Sequence, residues 1–270
     1  MTTVVTSLFD INRSAIDGRS WQSYLDWFEK TLSINAPMVV FIEEKTYDFV
    51  KARRNSDNTK IIVQNIQDLG MYKHKNRMDD IINSNTYKHK IHDANRIECK
   101  NSLYTIIQFS KFDWMVHASK NNYFNSGYFI WMDAGLSRFF DDLNTSNRYP
   151  SESMEKQLLS FGDKVFIQTF CCSYPDLFNA ATLNENYLCD NRSYVMGGLF
   201  GGNSQIIPKL QKEIDYVFEE LMLNKEIINN EQIVLGYLFK TSPELFITFI
   251  NNSNRHRSYE VINVLGSQYE

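Results

Sequence analysis

Short apolar runs alternate with amphipathic stretches along the first part of the chain. Residues 3–8, 38–42 and 59–66 are rich in β-branched and apolar side chains, which predicts three strands. Between the first two runs, apolar side chains at helical spacing predict a helix capped by Ser20: Trp21, Tyr24, Leu25, Phe28 and Leu32. Residues 45–54 predict a second, shorter helix. Strand, helix and strand in this order indicate parallel βαβ units.

The middle of the chain carries the clearest strand signal. Apolar residues between 103 and 118 predict a long helix that ends at Asn121-Asn122. The run Tyr128–Met132 follows without alternation, which is typical of a central strand covered on both faces. The long helix would then be the crossover that leads into this strand. Residues 67–100 are polar and leave room for one or two helices beside the sheet.

The second half predicts further strands and helices. Apolar runs indicate strands at 164–170, 194–200, 246–250 and 259–264. Ser204 and Pro208 suit the start of one helix, and Asn230 suits the cap of another helix that begins at Glu231. Neither an internal repeat nor a linker interrupts the pattern, so the sequence predicts a single α/β domain over residues 1–270.

Composition narrows the class of protein. Of 270 residues, 43% are hydrophobic and 14% aromatic, which is enough to bury a large core. The net charge of −4 gives no excess of positive charge to attract the phosphates of a nucleic acid, so we expect no nucleic-acid partner. We also expect no signal peptide, no transmembrane segment and a cytoplasmic location, because no apolar run approaches about 18 residues. The cysteines, without a CxxC spacing, predict buried free thiols rather than zinc ligands: Cys99, Cys171, Cys172 and Cys189.

Candidate chemistry lies where two predicted strands end. Ligands of an open parallel sheet bind beyond the carboxyl ends of its strands. Residues 10–13 follow the first strand, and Asp133 follows the central one, with Ala134-Gly135 leaving space beside it. A carboxylate there can bind a divalent cation on a diphosphate, or a ribose hydroxyl. A turn or helix-capping aspartate is the alternative, and the residues alone leave both open.

Other candidates have ordinary structural explanations beside the functional ones. The glycines of the GGLFGG run at residues 197–202 allow close approach of a sugar, but a bulge or tight turn is favoured. Glu231 suits the start of a helix, where the helix dipole favours an acidic residue. Lys111 suits an exposed helix face, although its helix leads into the Asp133 strand and one end of that helix could face the site. His256 lies between two arginines, where it could fold over a diphosphate. No G-x-S-x-G or H-E-x-x-H pattern supports hydrolase chemistry.

Four segments in this order resemble one known family. Residues 5–13 (VTSLFDINR), 37–41 (PMVVF), the Ser110-Lys111 pair and residues 128–135 (YFIWMDAG) are similar to the bacterial HtrL/YibB group, also called WlaTC-type glycosyltransferases. The resemblance implies a GT-A-like (Rossmann-like) fold, with a mixed, mostly parallel sheet flanked by helices. It also implies a nucleotide-sugar-binding half at residues 1–140 and an acceptor-side half at 141–270.

The resemblance further implies a metal site with one departure from the pattern. GT-A enzymes carry Asp-x-Asp after a central strand, where it holds ribose and metal. The matching residues are Asp133, Ala134 and Gly135, so glycine replaces the second acid. The implied Mn2+ or Mg2+ would be held by Asp133, the diphosphate and a late residue such as His256. An enzyme that needs no metal is the alternative.

The implied reaction is transfer of a sugar from a nucleotide diphosphate sugar, with UDP favoured, to a glycan hydroxyl. The implied catalytic residues are Asp133 and Glu231, the latter as base if the enzyme inverts. The implied donor-binding residues are Thr6, Ser7, Asp10, Arg13, Lys111, Asp133 and Gly135. The acceptor side would carry Gly197 and Gly198, which resemble a glycine-rich strand of such enzymes, and Gln232, in place of a second acid after Glu231.

Two other functions are compatible with the same fold. A sugar nucleotidyltransferase would need a basic, glycine-rich loop after the first strand, where this chain has Asp10, Asn12, Arg13 and only Gly18. A catalytically inactive protein that binds glycans or nucleotide sugars is the other alternative. Gly135, in the place of the second acid, favours that alternative.

Overall fold

The computed structural model describes residues 1–140, 143–170, 185–192, 194–251 and 259–267. It contains a seven-stranded sheet in the order β3-β2-β1-β4-β6-β5-β7. The strands are β1 Thr2–Leu8, β2 Met38–Ile42, β3 Thr59–Val63, β4 Tyr128–Met132, β5 Val165–Phe170, β6 Val195–Gly202 and β7 Phe246–Asn251. Each corresponds to a strand predicted from the sequence.

The sheet is mixed and mostly parallel, as predicted. Strand β6 runs antiparallel to both of its neighbours, β4 and β5, whereas the other pairs are parallel. Strand β4 is the central strand, beside β1. Because β1 and β4 are parallel, with Val5 opposite Trp131, the residues that follow Leu8 and Met132 emerge at the same edge of the sheet.

Helices flank the sheet. They are α1 Arg13–Asp17, α2 Trp21–Leu32, α3 Tyr47–Lys51, α4 Lys75–Asn83, α5 Asn85–Lys90, α6 Ile97–Lys100, α7 Ser102–Asn121, α8 Glu152–Ser160, α9 Ile206–Tyr216, α10 Glu231–Thr241 and α11 Glu260–Gly266. Two predicted caps are confirmed: the Ser20 side chain accepts from Ser23 N, and that of Asn230 accepts from Ile233 N. The helix predicted to start near Ser204 is α9, but its N-cap is Gln205, which makes no side-chain cap hydrogen bond. A π-helix, Val217–Met222, continues α9. None of the described helices combines the length and apolar character needed to cross a membrane.

The predicted strand at 259–264 is wrong, because this segment forms α11. Its buried side chains Val261, Ile262 and Leu265 fall on one face of a helix. A short apolar run cannot by itself distinguish a strand from a buried helix. The first turn of this helix is joined to β5, since the Gln168 side chain accepts from Val261 N at 3.1 Å.

Apolar side chains cover both faces of the sheet, as the pattern of β4 predicts. Phe129 and Trp131 point into one core, and Tyr128, Ile130 and Met132 point into the other. Helix α7 lies on the Trp131 face, where Trp114 stacks on Trp131 with ring centroids 5.9 Å apart. The predicted end of α7 is confirmed by left-handed Asn122. Cys99 is a buried free thiol, Cys189 is buried, and Cys171 and Cys172 lie outside the described residues.

An acidic cluster between α7 and α9 gives a pH-dependent contribution to stability. Burial, together with repulsion from Asp113 and Glu219, raises the pKa of Asp215 to about 6. A carboxyl group whose pKa is higher in the folded than in the unfolded protein stabilises the fold most at pH values below its unfolded-state pKa. This stabilisation is lost as the pH rises through 6, the pKa in the folded protein. The shift corresponds to roughly 3 kcal/mol, which solvent screening of this partly exposed group reduces to about 1 kcal/mol.

Asp215→Asn is therefore expected to stabilise the protein by about 1 kcal/mol at pH 7.5 and to have little effect at pH 4. Urea unfolding at the two pH values measures the difference. Glu213→Gln, exposed on the same helix, is the control and should leave the difference unchanged. Equal stabilisation by Asp215→Asn at both pH values would contradict the proposed repulsion.

Candidate functional site

A cleft of about 170 Å³ opens at the carboxyl ends of β1 and β4. Its walls come from the loop after β1, one face of α7 and the turn after β4. Its lining includes aliphatic residues such as Ile107 and many polar, charged or aromatic ones: Ser7, Asp10, Arg13, Arg19, Trp21, Tyr24, Tyr104, Gln108, Lys111, Trp131, Asp133 and Arg138. The two strand ends that the sequence singled out therefore meet at one cavity, as expected for an open sheet.

The loop after β1 is held in place by charged side chains. Asp10 accepts hydrogen bonds from Lys45 Nζ at 2.9 Å and from Asn12 N at 2.8 Å. Burial alone would raise the pKa of Asp10, but these two donors outweigh it and leave the pKa below its usual value. Arg13 is buried, pairs with Asp17 and lies 4.7 Å above the centre of the Tyr104 ring. These contacts fix one wall of the cleft.

Lys111 lies at the centre of a buried ionic network. Its Nζ is 2.7 Å from Glu231 Oε1 and 3.3 Å from Asp133 Oδ1. It is also 3.2 Å from both Gln108 Oε1 and the carbonyl oxygen of Gly197. The Lys111 side chain is only 2% exposed. The interpretation of Lys111 as an ordinary lysine on an exposed helix face is therefore wrong. Lys111 lies in the middle of α7, on the face turned towards Asp133.

Burial dominates the electrostatics of this network. Burial raises the pKa of Glu231, and the Lys111 ammonium offsets that effect only in part. Burial would lower the pKa of Lys111, but Asp133 and Glu231 outweigh it and raise the pKa above its usual value. The Glu231 side chain is 1% exposed, and its Oε2 has no hydrogen-bond partner within the described part of the chain. Asp133, at 37%, is the accessible carboxylate of the network.

The glycines of β6 provide space for these side chains. A Cβ at Gly197 would lie 2.2 Å from Glu231 Oε1, and one at Gly198 would lie 2.7 Å from the Tyr259 hydroxyl oxygen. The Gly198 carbonyl accepts from Asp133 N at 2.9 Å. Close approach is therefore the reason for glycine at both positions, and the nearest atoms belong to protein side chains.

The turn after β4 supplies one carboxylate, Asp133, where the Asp-x-Asp pattern would supply two. Asp133 Oδ1 accepts from Trp131 Nε1 at 2.7 Å and lies 3.3 Å from the Lys111 ammonium. A Cβ at Gly135 would lie 3.4 Å from Trp27 Cε3 and 3.7 Å from both Nε and Nη2 of Arg138. Within the described ranges, no three or more His, Cys, Asp or Glu side chains are grouped to hold a metal ion. His256 lies outside those ranges.

Comparison with known proteins places the chain in a family. The profile described as "Bacterial protein of unknown function (HtrL_YibB)" matches residues 1–253. The chain belongs to the HtrL_YibB family. The resemblance drawn from its sequence is thus confirmed at the level of the family. No curated protein sequence matches this HtrL_YibB chain. Among solved structures, it is similar to apo mouse xyloside xylosyltransferase 1, with 10% identity and a TM-score of 0.47, over 92% of this chain and 85% of that chain.

The structure brings most of the predicted site residues of this HtrL_YibB chain together. Those that line the cleft are Ser7, Asp10, Arg13, Lys111, Asp133 and Gly135. Glu231 lies behind Lys111, and the aliphatic part of Gln232 lies beside Gly197. Thr6 is fully buried and outside the cleft lining, which places it in the sheet rather than against a ligand.

Sequence reasoning missed several residues of the cleft. Tyr104 and Gln108 precede the predicted Lys111 by seven and three residues, which places all three on one face of α7. That spacing was available in the sequence. Arg138 in the cleft, and Tyr259 beside Gly198, gave no such signal, because their positions depend on the turn after β4 and on the start of α11.

Proposed function

We propose that this protein is a glycosyltransferase that moves a sugar from a nucleotide diphosphate sugar, with UDP favoured, to a hydroxyl of a glycan. The observation that carries the proposal is the set of cationic and aromatic side chains that line the cleft. Arg13 and Arg19 lie against Asp17, Lys111 lies against Asp133 and Glu231, and Arg138 has no carboxylate partner among the described residues. Cationic side chains beside aromatic rings suit a ligand with a diphosphate and a flat base.

The proposed sugar transfer requires the cleft to stabilise the negative charge of the leaving nucleoside diphosphate. The bond between the anomeric carbon and the phosphate oxygen breaks, and its electron pair stays on the diphosphate. The acceptor hydroxyl oxygen forms the new bond to that carbon and releases its proton to solvent. Fixed cations that face the developing charge lower the barrier, since they need no rearrangement during the reaction.

Asp133 is proposed to orient the donor at the mouth of the cleft. Its carboxylate is the accessible one, and it is fixed by Trp131 and Lys111. Glu231 is proposed to act as a positioning residue that holds Lys111. A base must reach the acceptor proton, and a side chain that is 1% exposed behind Lys111 is poorly placed to do so.

Titration calorimetry with UDP, GDP and their sugars tests the proposal, followed by a hydrolysis screen of the sugars that bind. We expect one nucleotide class to bind and its sugar to release nucleoside diphosphate slowly in water. Absence of binding by every nucleoside diphosphate and nucleotide sugar would overturn the proposal. Binding without turnover in the presence of a glycan acceptor panel would instead favour the inactive binding protein, the alternative that Gly135 supports.

A further inference from the structure

Arg138 is exposed at the mouth of the cleft, where a hydrogen bond and an aromatic contact orient its side chain. Its Nε donates to the Gly135 carbonyl oxygen at 2.8 Å, and its guanidinium lies 4.5 Å from the centre of the Trp27 ring. The turn that carries it, Leu136–Phe139, is joined to α2, because Ser137 Oγ donates to the Trp27 carbonyl oxygen at 2.7 Å. Thr31 Oγ1 makes a second such bond to the Ala134 carbonyl oxygen at 2.9 Å.

Arg138 is also the cleft cation whose charge is not offset by a described carboxylate. Arg13 and Arg19 both lie against Asp17, and Lys111 pairs with Asp133 and Glu231. No carboxylate within the described ranges lies within 4.0 Å of the Arg138 guanidinium. Its Nη atoms are therefore available to an anionic ligand.

The Arg138 guanidinium lies close to the place that a side chain at position 135 would occupy. A Cβ at position 135 would lie 3.4 Å from Trp27 Cε3 and 3.7 Å from both Nε and Nη2 of Arg138. A second acid in the Asp-x-Asp pattern would start from the same Cβ. At this place the chain therefore carries a fixed cation in front of a glycine, where the pattern would carry a carboxylate that attracts a metal ion.

We propose that Arg138 binds the diphosphate of the donor and offsets its charge, so that donor binding needs no divalent cation. This inference rests on the proposed function, because it concerns the same cleft and ligand. A planar guanidinium with two free nitrogens can make paired hydrogen bonds to phosphate oxygens, and its stacking on Trp27 keeps it oriented.

Titration calorimetry with UDP, GDP and inorganic pyrophosphate, each in EDTA and in excess Mn2+, tests the inference. We expect binding in EDTA and little change on addition of Mn2+. Arg138→Gln should weaken diphosphate binding by about tenfold to a hundredfold, as expected for hydrogen bonds to a charged group. It should not alter binding of the matching nucleoside, and Arg138→Lys should recover part of the loss.

Arg53→Gln is the matched control, because Arg53 is an exposed arginine that stacks on Phe49 at 3.6 Å, away from the cleft. It should bind each probe as the unmodified protein does. Binding that appears only with Mn2+, or full affinity in Arg138→Gln, would overturn the role of Arg138 and leave the proposed function intact. Absence of binding by all probes in both conditions would overturn both proposals.

Discussion

Lys111→Met is expected to lower the free energy of unfolding by about 3–5 kcal/mol, the cost of leaving a buried charge without its partner. Lys111 Nζ is 2.7 Å from Glu231 Oε1, and both side chains are almost fully buried. Methionine fills a similar volume but leaves two carboxylates, Glu231 and Asp133, without the cation. Urea unfolding followed by circular dichroism measures the loss.

Two further variants separate the ionic effect from a packing effect. Lys111→Met combined with Glu231→Leu removes both buried charges, and we expect it to recover much of the lost stability. Lys156→Met removes the cation of an exposed pair, whose Lys156 Nζ and Glu152 Oε1 are 3.0 Å apart, and should leave the stability nearly unchanged because solvent screens the pair. A double variant as unstable as Lys111→Met alone would show that the loss comes from packing.

Asp133→Asn is expected to reduce turnover by about a hundredfold or more, a typical loss when a fixed polar group of a reaction site is removed. Asparagine keeps the shape and can still accept the hydrogen bond from Trp131 Nε1. It removes the charge that fixes Lys111 and, in the proposed reaction, orients the donor. The side chain is 37% exposed, so we expect the fold to persist.

Steady-state kinetics with the donor found in the screen, together with thermal unfolding, checks this expectation. Asp26→Asn is the control, because Asp26 is exposed on α2 and accepts only a surface hydrogen bond from Gln22 in the described structure. Its turnover should equal that of the unmodified protein. Normal turnover in Asp133→Asn would remove Asp133 from the site, whereas a large fall in melting temperature would show a structural role.

Much of the framework could be read from local patterns. The apolar run of β4, without alternation, indicated a central strand with both faces covered, and the structure has it in the middle of the sheet. Ser20 and Asn230 indicated helix starts, because a capping side chain bonds to backbone only three residues away. The strand predicted at 259–264 is wrong because the apolar run is too short to distinguish the period of a helix from that of a strand.

The site depended on contacts between distant parts of the chain. The sequence by itself determined that Asp133 follows a buried strand and that Gly135 stands where a second acid is expected. Only the tertiary structure decided that Lys111 meets Glu231, which is 120 residues away, in space left by Gly197. No local period encodes this pairing, because it forms only when the sheet brings α7, β6 and α10 together. The contact of Arg138 with Gly135 is local, but its place at the cleft depends on the packing of the turn after β4 against α2.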